Sequence, residues 1–164
     1  MNKFFRLIID TNISDYARPR KEFYSQSLGK VTLLEACSRR QIQYLSRQVE
    51  EIEIDDGGGL IFPDFMFYEN ILLVSEAAFD IFRQTYLLFE KPVIMTFDAL
   101  GFRQKYHLLL PPKISTLKEV GNYCFFALGN NIIVNDELRE SALRAEFTNI
   151  NFVEVKTGYE KSRG

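Results

Sequence analysis

Histidine, cysteine and tryptophan are scarce in this sequence: one His, two Cys and no Trp among 164 residues. The single histidine, His107, excludes a multi-histidine metal site, and no Ser or Cys context marks a nucleophile for it to activate. A structural or surface role is expected for it, with substitutions tolerated by any activity. Cys37 and Cys124 are separated by a distance that fits no zinc or redox pattern. The expectation is two buried apolar thiols in a reducing compartment and no disulfide. No apolar stretch approaches the length that spans a bilayer. The opening Met1-Asn2-Lys3-Phe4-Phe5-Arg6 begins like a signal peptide, but Arg6 and Asp10 interrupt an apolar segment, so no leader is expected. Net charge is −2, which excludes a global field suited to nucleic acid. These absences together describe a cytoplasmic globular protein with no membrane contact and no direct nucleic-acid partner.

Apolar side chains are plentiful. Hydrophobic residues make up 46% of the chain and Phe alone accounts for 15 of them, enough for a substantial core. A buried Phe contributes about 1.5–3 kcal/mol through apolar surface removed from water. The charged fraction of 26% belongs to a folded chain and not a disordered one. Length predicts one domain over residues 1–164, with a polar tail from about 158.

One pattern is written twice. Asn70-Ile71-Leu72-Leu73-Val74-Ser75-Glu76 and Asn131-Ile132-Ile133-Val134-Asn135-Asp136-Glu137 each run from an apolar strand into a helix N-cap and then an acid. A cap oxygen (Ser75, Asn135) accepts from an orphan backbone N–H, and the acid sits against the positive end of the helix dipole. Apolar spacing predicts a helix over about 76–89 with Ala78, Ile81, Phe82 and Phe89 on one stripe, ended by Lys91-Pro92. A second helix is predicted over about 136–146 with Leu138, Ala142 and Ala145 inward. Each is followed by another apolar strand, at residues 92–95 and 151–155.

Elsewhere the pattern predicts a strand over 3–9 and a helix over 31–47 with Leu34, Cys37, Ile42, Leu45 and Val49 near one face. A half-exposed strand is expected over 49–54, and strands over 106–110 and 123–128. Strands outnumber helices and follow one another locally, so the class is α+β with a mixed or antiparallel sheet. The two repeated units are expected to share one core on a common sheet.

Few motifs carry chemistry. Leu7-Ile8-Ile9-Asp10-Thr11-Asn12 and Met95-Thr96-Phe97-Asp98 resemble the strand-end aspartates of PIN-domain ribonucleases, where clustered carboxylates hold Mg²⁺ or Mn²⁺. The middle of the chain, rich in strands and turns, departs from that fold, so Asp10 and Asp98 are the second reading and no metal is the first. Gly57-Gly58-Gly59 precedes an extended segment and not a helix, and is read as a turn and not as a phosphate loop. Basic residues gather before residue 48, where a solvated helical face explains them. The acidic run Glu50, Glu51, Glu53, Asp55 and Asp56 follows, a strand and turn able to complement a basic partner or to keep a sheet edge soluble.

In order and spacing, several segments resemble the eleventh family of polymorphic-toxin immunity proteins. They are Ile61-Phe62-Pro63-Asp64-Phe65, Leu73-Val74-Ser75-Glu76, Tyr106-His107-Leu108-Leu109-Leu110-Pro111, and the block from Ile132 to Val155. The family more often shows Ser-Glu where this chain has Asn135-Asp136, and a glycine-containing turn where it has Thr148-Asn149-Ile150; Asn and Asp preserve both roles. The resemblance implies a cytoplasmic, non-catalytic protein that binds a cognate protein toxin, without a cofactor. It carries over no site residues. The acidic run is the expected part of the toxin interface, because nuclease toxins are often basic.

Overall fold

The apolar run after Lys3 forms strand β1 (Phe4–Ile9), as its sequence predicts. The structure is a computed structural model describing residues 3–9, 17, 19–25, 28–38, 42–45, 50–55, 61–68, 71–97, 101–147 and 149–156. A hairpin of β2 (Glu22–Ser25) and β3 (Gly29–Thr32) follows, and then two short helices, α1 (Leu33–Ala36) and α2 (Ile42–Leu45). The single helix expected over 31–47 is therefore not formed. Thr32 ends a strand and caps α1, its Oγ1 accepting from the Glu35 N–H at 3.1 Å while Glu35 accepts from the Thr32 N–H. That capping box places Leu33 and Ala36 inward and leaves Leu34 exposed, a different face from the one predicted. Strand β4 (Glu50–Glu53) begins the next part of the chain.

The first repeated unit comprises β5 (Phe65–Tyr68), β6 (Ile71–Ser75), α3 (Glu76–Phe79), a 3-10 turn (Asp80–Phe82) and β7 (Phe89–Phe97). Its helix stops well short of residue 89, because Thr85 turns back to donate both its N–H and its hydroxyl to the Phe82 carbonyl, at 3.0 and 2.7 Å. Phe89 and Lys91-Pro92 belong to β7 and do not terminate the helix. Strands β8 (Phe102–Leu110) and β9 (Lys113–Ile114) and a 3-10 turn (Leu117–Glu119) lead to the second unit. That unit has β10 (Phe125–Leu128), β11 (Asn131–Asn135), α4 (Asp136–Arg144) and β12 (Ile150–Glu154). Gly129, at φ 63°, takes the left-handed first position of the turn joining β10 to β11, where a side chain would be strained.

The two units correspond residue by residue at an offset of sixty. Phe65 faces Val74 and Met66 faces Leu73 in one hairpin; Phe125 faces Val134 and Phe126 faces Ile133 in the other. The Ser75 N–H donates to the Asp64 carbonyl at 2.9 Å, and the Asn135 N–H to the Cys124 carbonyl at 2.9 Å. Both caps form as predicted: Ser75 Oγ accepts from the Ala78 N–H at 3.1 Å and Asn135 Oδ1 from the Leu138 N–H at 2.9 Å.

The units do not share a sheet, contrary to the expectation. Among the described residues one five-stranded sheet runs β12-β1-β11-β10-β9 and the other β4-β7-β8-β6-β5, with β2-β3 as a separate ribbon. All pairings are antiparallel except β4 with β7 and β9 with β10, so the class is α+β with mixed sheets. In each sheet an antiparallel strand separates the two strands of the repeat: β8 between β6 and β7, β1 between β11 and β12. The separating strand comes after the first unit in the chain but before the second.

The two units do share a core, as expected. Leu72, Val74 and Leu109 from one sheet meet Phe5, Leu7, Ile132 and Val134 from the other, with Ala78, Phe82 and Leu138 of the helical segments among them. The opposite faces pack elsewhere. Ile71 and Leu73 join a cluster with Leu33, Ala36 and Leu45, and Ile133 joins Phe126 and Ile114. Burial on both faces explains why β6 and β11 read as continuous apolar runs with no alternation.

Candidate functional site

Strand β4 carries the acidic run, and period-two geometry sorts its members. Ile52 and Ile54 are buried, so Glu50 shares their inward face. Glu50 is 1% exposed, which removes it from any partner-facing surface and corrects the expectation. Its Oε1 accepts from Ser25 Oγ at 2.9 Å, and its Oε2 has no protein partner. Lys91 is buried on the neighbouring β7; burial holds its amine below the usual lysine range, and the Glu50 charge pulls the other way. Glu51 and Glu53 face outward, Glu51 bonded to Arg103 and Glu53 to Arg20 at 2.9 Å. Asp55 is half-buried and lines a shallow recess with Arg20, Lys21, Glu22 and Lys30. Asp56 lies outside the described residues, as do Asp10, Asp98 and the triple glycine. Among the described residues no group of three or more His, Cys, Asp or Glu is placed to hold a metal.

His107 lies on β8 and is buried, in keeping with a structural role. Its Nδ1 lies 2.7 Å from Glu90 Oε1 on β7, and its Nε2 3.1 Å from Glu76 Oε1 at the start of α3. The Phe79 ring stacks on the imidazole at 4.0 Å and 7°, and the Arg83 guanidinium covers Phe79 at 4.8 Å. Lys105 also bonds Glu76 at 2.9 Å, and this bond, more than the one from His107, holds the Glu76 carboxyl below its usual range. The second unit repeats the arrangement with the partners exchanged. Sixty residues after Phe79, Arg139 of α4 lies 4.5 Å over Phe5, which pairs with Val134 as His107 pairs with Val74. Asp136, the counterpart of Glu76, lies 3.7 Å from Arg139. A helix side chain stacked on a strand side chain, with a carboxylate at the helix start, thus clamps each helix to its sheet.

At the Phe89–Leu110 end of the sheet that holds β7 and β8, a groove of about 680 Å³ opens beside the starts of β6 and β7 and the end of β8. Ile71, Phe89, Leu110, Pro111 and Pro112 are among the residues lining its floor and walls. Three of its lining side chains stand in water: Tyr86 at 59%, Leu88 at 57% and Leu34 at 39% exposure. Tyr86 stacks on Tyr123 with centroids 5.6 Å apart. Among the described residues Lys113 is the one charged side chain lining it. Cys37, also lining, is a free thiol that burial pushes up to about 12, with Lys113 opposing; Cys124 is likewise free. The sequence reading missed this groove because Tyr86 and Leu88 fall inside a span predicted as helix.

Among the described residues no helix is long and apolar enough to cross a membrane. No protein-family model matches the chain, and no curated protein matches it.

Proposed function

We propose that this chain is a non-catalytic, cofactor-free immunity protein that acts in the cytoplasm by binding and neutralising a cognate bacterial toxin. The resemblance carried by the segments between residues 61 and 155 supplies the class of partner. The observation that carries the reading is a division of labour. Glu76 and Glu90 pair with His107 across elements, while Tyr86, Leu88 and Leu34, three of the eight exposed large apolar side chains among the described residues, line one groove. An exposed apolar patch of this kind suits a binding surface, and a stable complex would cover about 1,000 Å² or more. Of the acidic run, only Glu50 is withdrawn by burial; among the described residues Glu51, Glu53 and Asp55 are the carboxylates that a basic toxin would meet, with Asp56 next in sequence, and they act chiefly on encounter.

The test is to combine the purified protein with the toxin encoded in the neighbouring reading frame. Stoichiometric inhibition, and protection of cells expressing that toxin, are expected. Failure of the wild-type protein to bind or protect overturns the reading. RNA degradation dependent on Mg²⁺ or Mn²⁺ and lost in Asp10→Asn would instead establish the ribonuclease reading.

A further inference from the structure

Three exposed apolar side chains around one recess is an unusual concentration, because isolated surface hydrophobics are ordinarily scattered. A small-molecule pocket encloses most of its ligand, yet Tyr86 and Leu88 stand more than half in water at the rim. A partner surface laid over the groove would cover both. The volume of about 680 Å³ suits a short protruding segment more than a lone side chain. Electrostatics narrows the segment further. Lys113 is exposed and is the only charge on the lining among the described residues, so an acidic residue beside the anchor finds a complement.

Building on the toxin-binding reading, we propose that this groove is the anchor site. It receives a protruding toxin segment whose aliphatic or aromatic side chain enters between Tyr86, Leu88 and Leu34, with a neighbouring carboxylate at Lys113. The groove lies at the Phe89 end of β7, whereas β4 pairs Glu51 with Ile94 and Glu53 with Thr96 toward the other end. At ~3.3 Å per residue the two regions are separated by about 20 Å along the strand, so variants report on them separately.

The experiment measures toxin association and dissociation rates by surface plasmon resonance for the full chain. Leu88→Asp and Tyr86→Ala are each expected to weaken binding about tenfold or more, mainly through faster dissociation, as anchors do. Lys113→Glu is expected to weaken it likewise, while Lys113→Arg keeps it. Reversing Glu51, Glu53 and Asp55 should instead slow association, with less effect on dissociation. All these positions are at least partly exposed, and an unchanged thermal midpoint verifies folding; Lys113→Glu stands in if an apolar-to-charged variant unfolds. Wild-type dissociation rates in both Leu88→Asp and Lys113→Glu overturn the anchor proposal while leaving toxin binding intact. A wild-type protein that does not bind the toxin at all overturns the functional reading, and the anchor with it.

Discussion

Ser25 and Glu50 form a buried bond across twenty-five residues of sequence, and among the described residues Ser25 is the one hydrogen-bond donor to the Glu50 carboxylate, whose Oε2 is left without one. A buried carboxylate left without its donor bears more of its desolvation penalty, with the Lys91 charge left to offset it. Ser25→Ala is therefore expected to destabilise the fold by about 2 kcal/mol, read as a shift in the urea midpoint, although it deletes a single atom. A shift no larger than that of an exposed serine would contradict it. Glu76 makes a different statement. Bonds from Lys105 and His107 depress its folded pKa, so its contribution is present above the unfolded carboxylate range and lost as pH falls through the lower folded value. The difference in thermal midpoint between wild type and Glu76→Gln should be widest near neutrality and close in acid. A difference that persists unchanged at low pH would refute this account of the pair.

Both long-predicted helix starts lie where a strand ends, and each depends on one side-chain oxygen. Ser75→Ala and Asn135→Ala are each expected to cost about 0.5–2 kcal/mol in chemical denaturation. Ser75 should sit at the upper end, since its Oγ also donates to Asp64 at 2.6 Å. Equal midpoints for wild type and either variant would rule out the cap concerned. The two helical segments also divide volume unequally. Ala78 and Phe82 in the first correspond, sixty residues on, to Leu138 and Ala142 in the second, and Phe82 reaches Phe125 at a centroid distance of 4.7 Å.

Across the whole molecule, β1 is the element that ties the chain's beginning to its end. It lies between β11 and β12, so removing it parts β12 from the rest of its sheet and uncovers β11. Deleting residues 1–9 is expected to abolish cooperative thermal unfolding and the near-ultraviolet circular dichroism of a fixed core. Moving Phe4–Ile9 to follow Lys156 through a tight turn should restore both. The Val155 N–H already donates to the Phe4 carbonyl at 2.8 Å, so the new connection is short, and it repeats the order in which β8 follows β7. A deletion variant that still unfolds cooperatively at the wild-type temperature would show β1 to be dispensable.

What the amino-acid sequence determined by itself was local: the class of fold, the two caps, and the apolar strands β6 and β11. Caps and apolar runs are decided within a few residues, by hydrogen bonds and side-chain periodicity that no distant contact has to supply. Even Glu50 was legible, since Ile52 and Ile54 set an inward frame that includes it two residues earlier. Only the tertiary structure decided that the repeats lie on separate sheets, because strand partners are chosen by burial of both faces against distant elements. It also decided the groove. Tyr86 and Leu88 are adjacent in sequence to an expected helix stripe, and their exposure follows from where Thr85 ends that helix and where Leu110 and Pro111 arrive from another strand. A surface assembled from segments far apart in the chain leaves no periodic trace in any one of them.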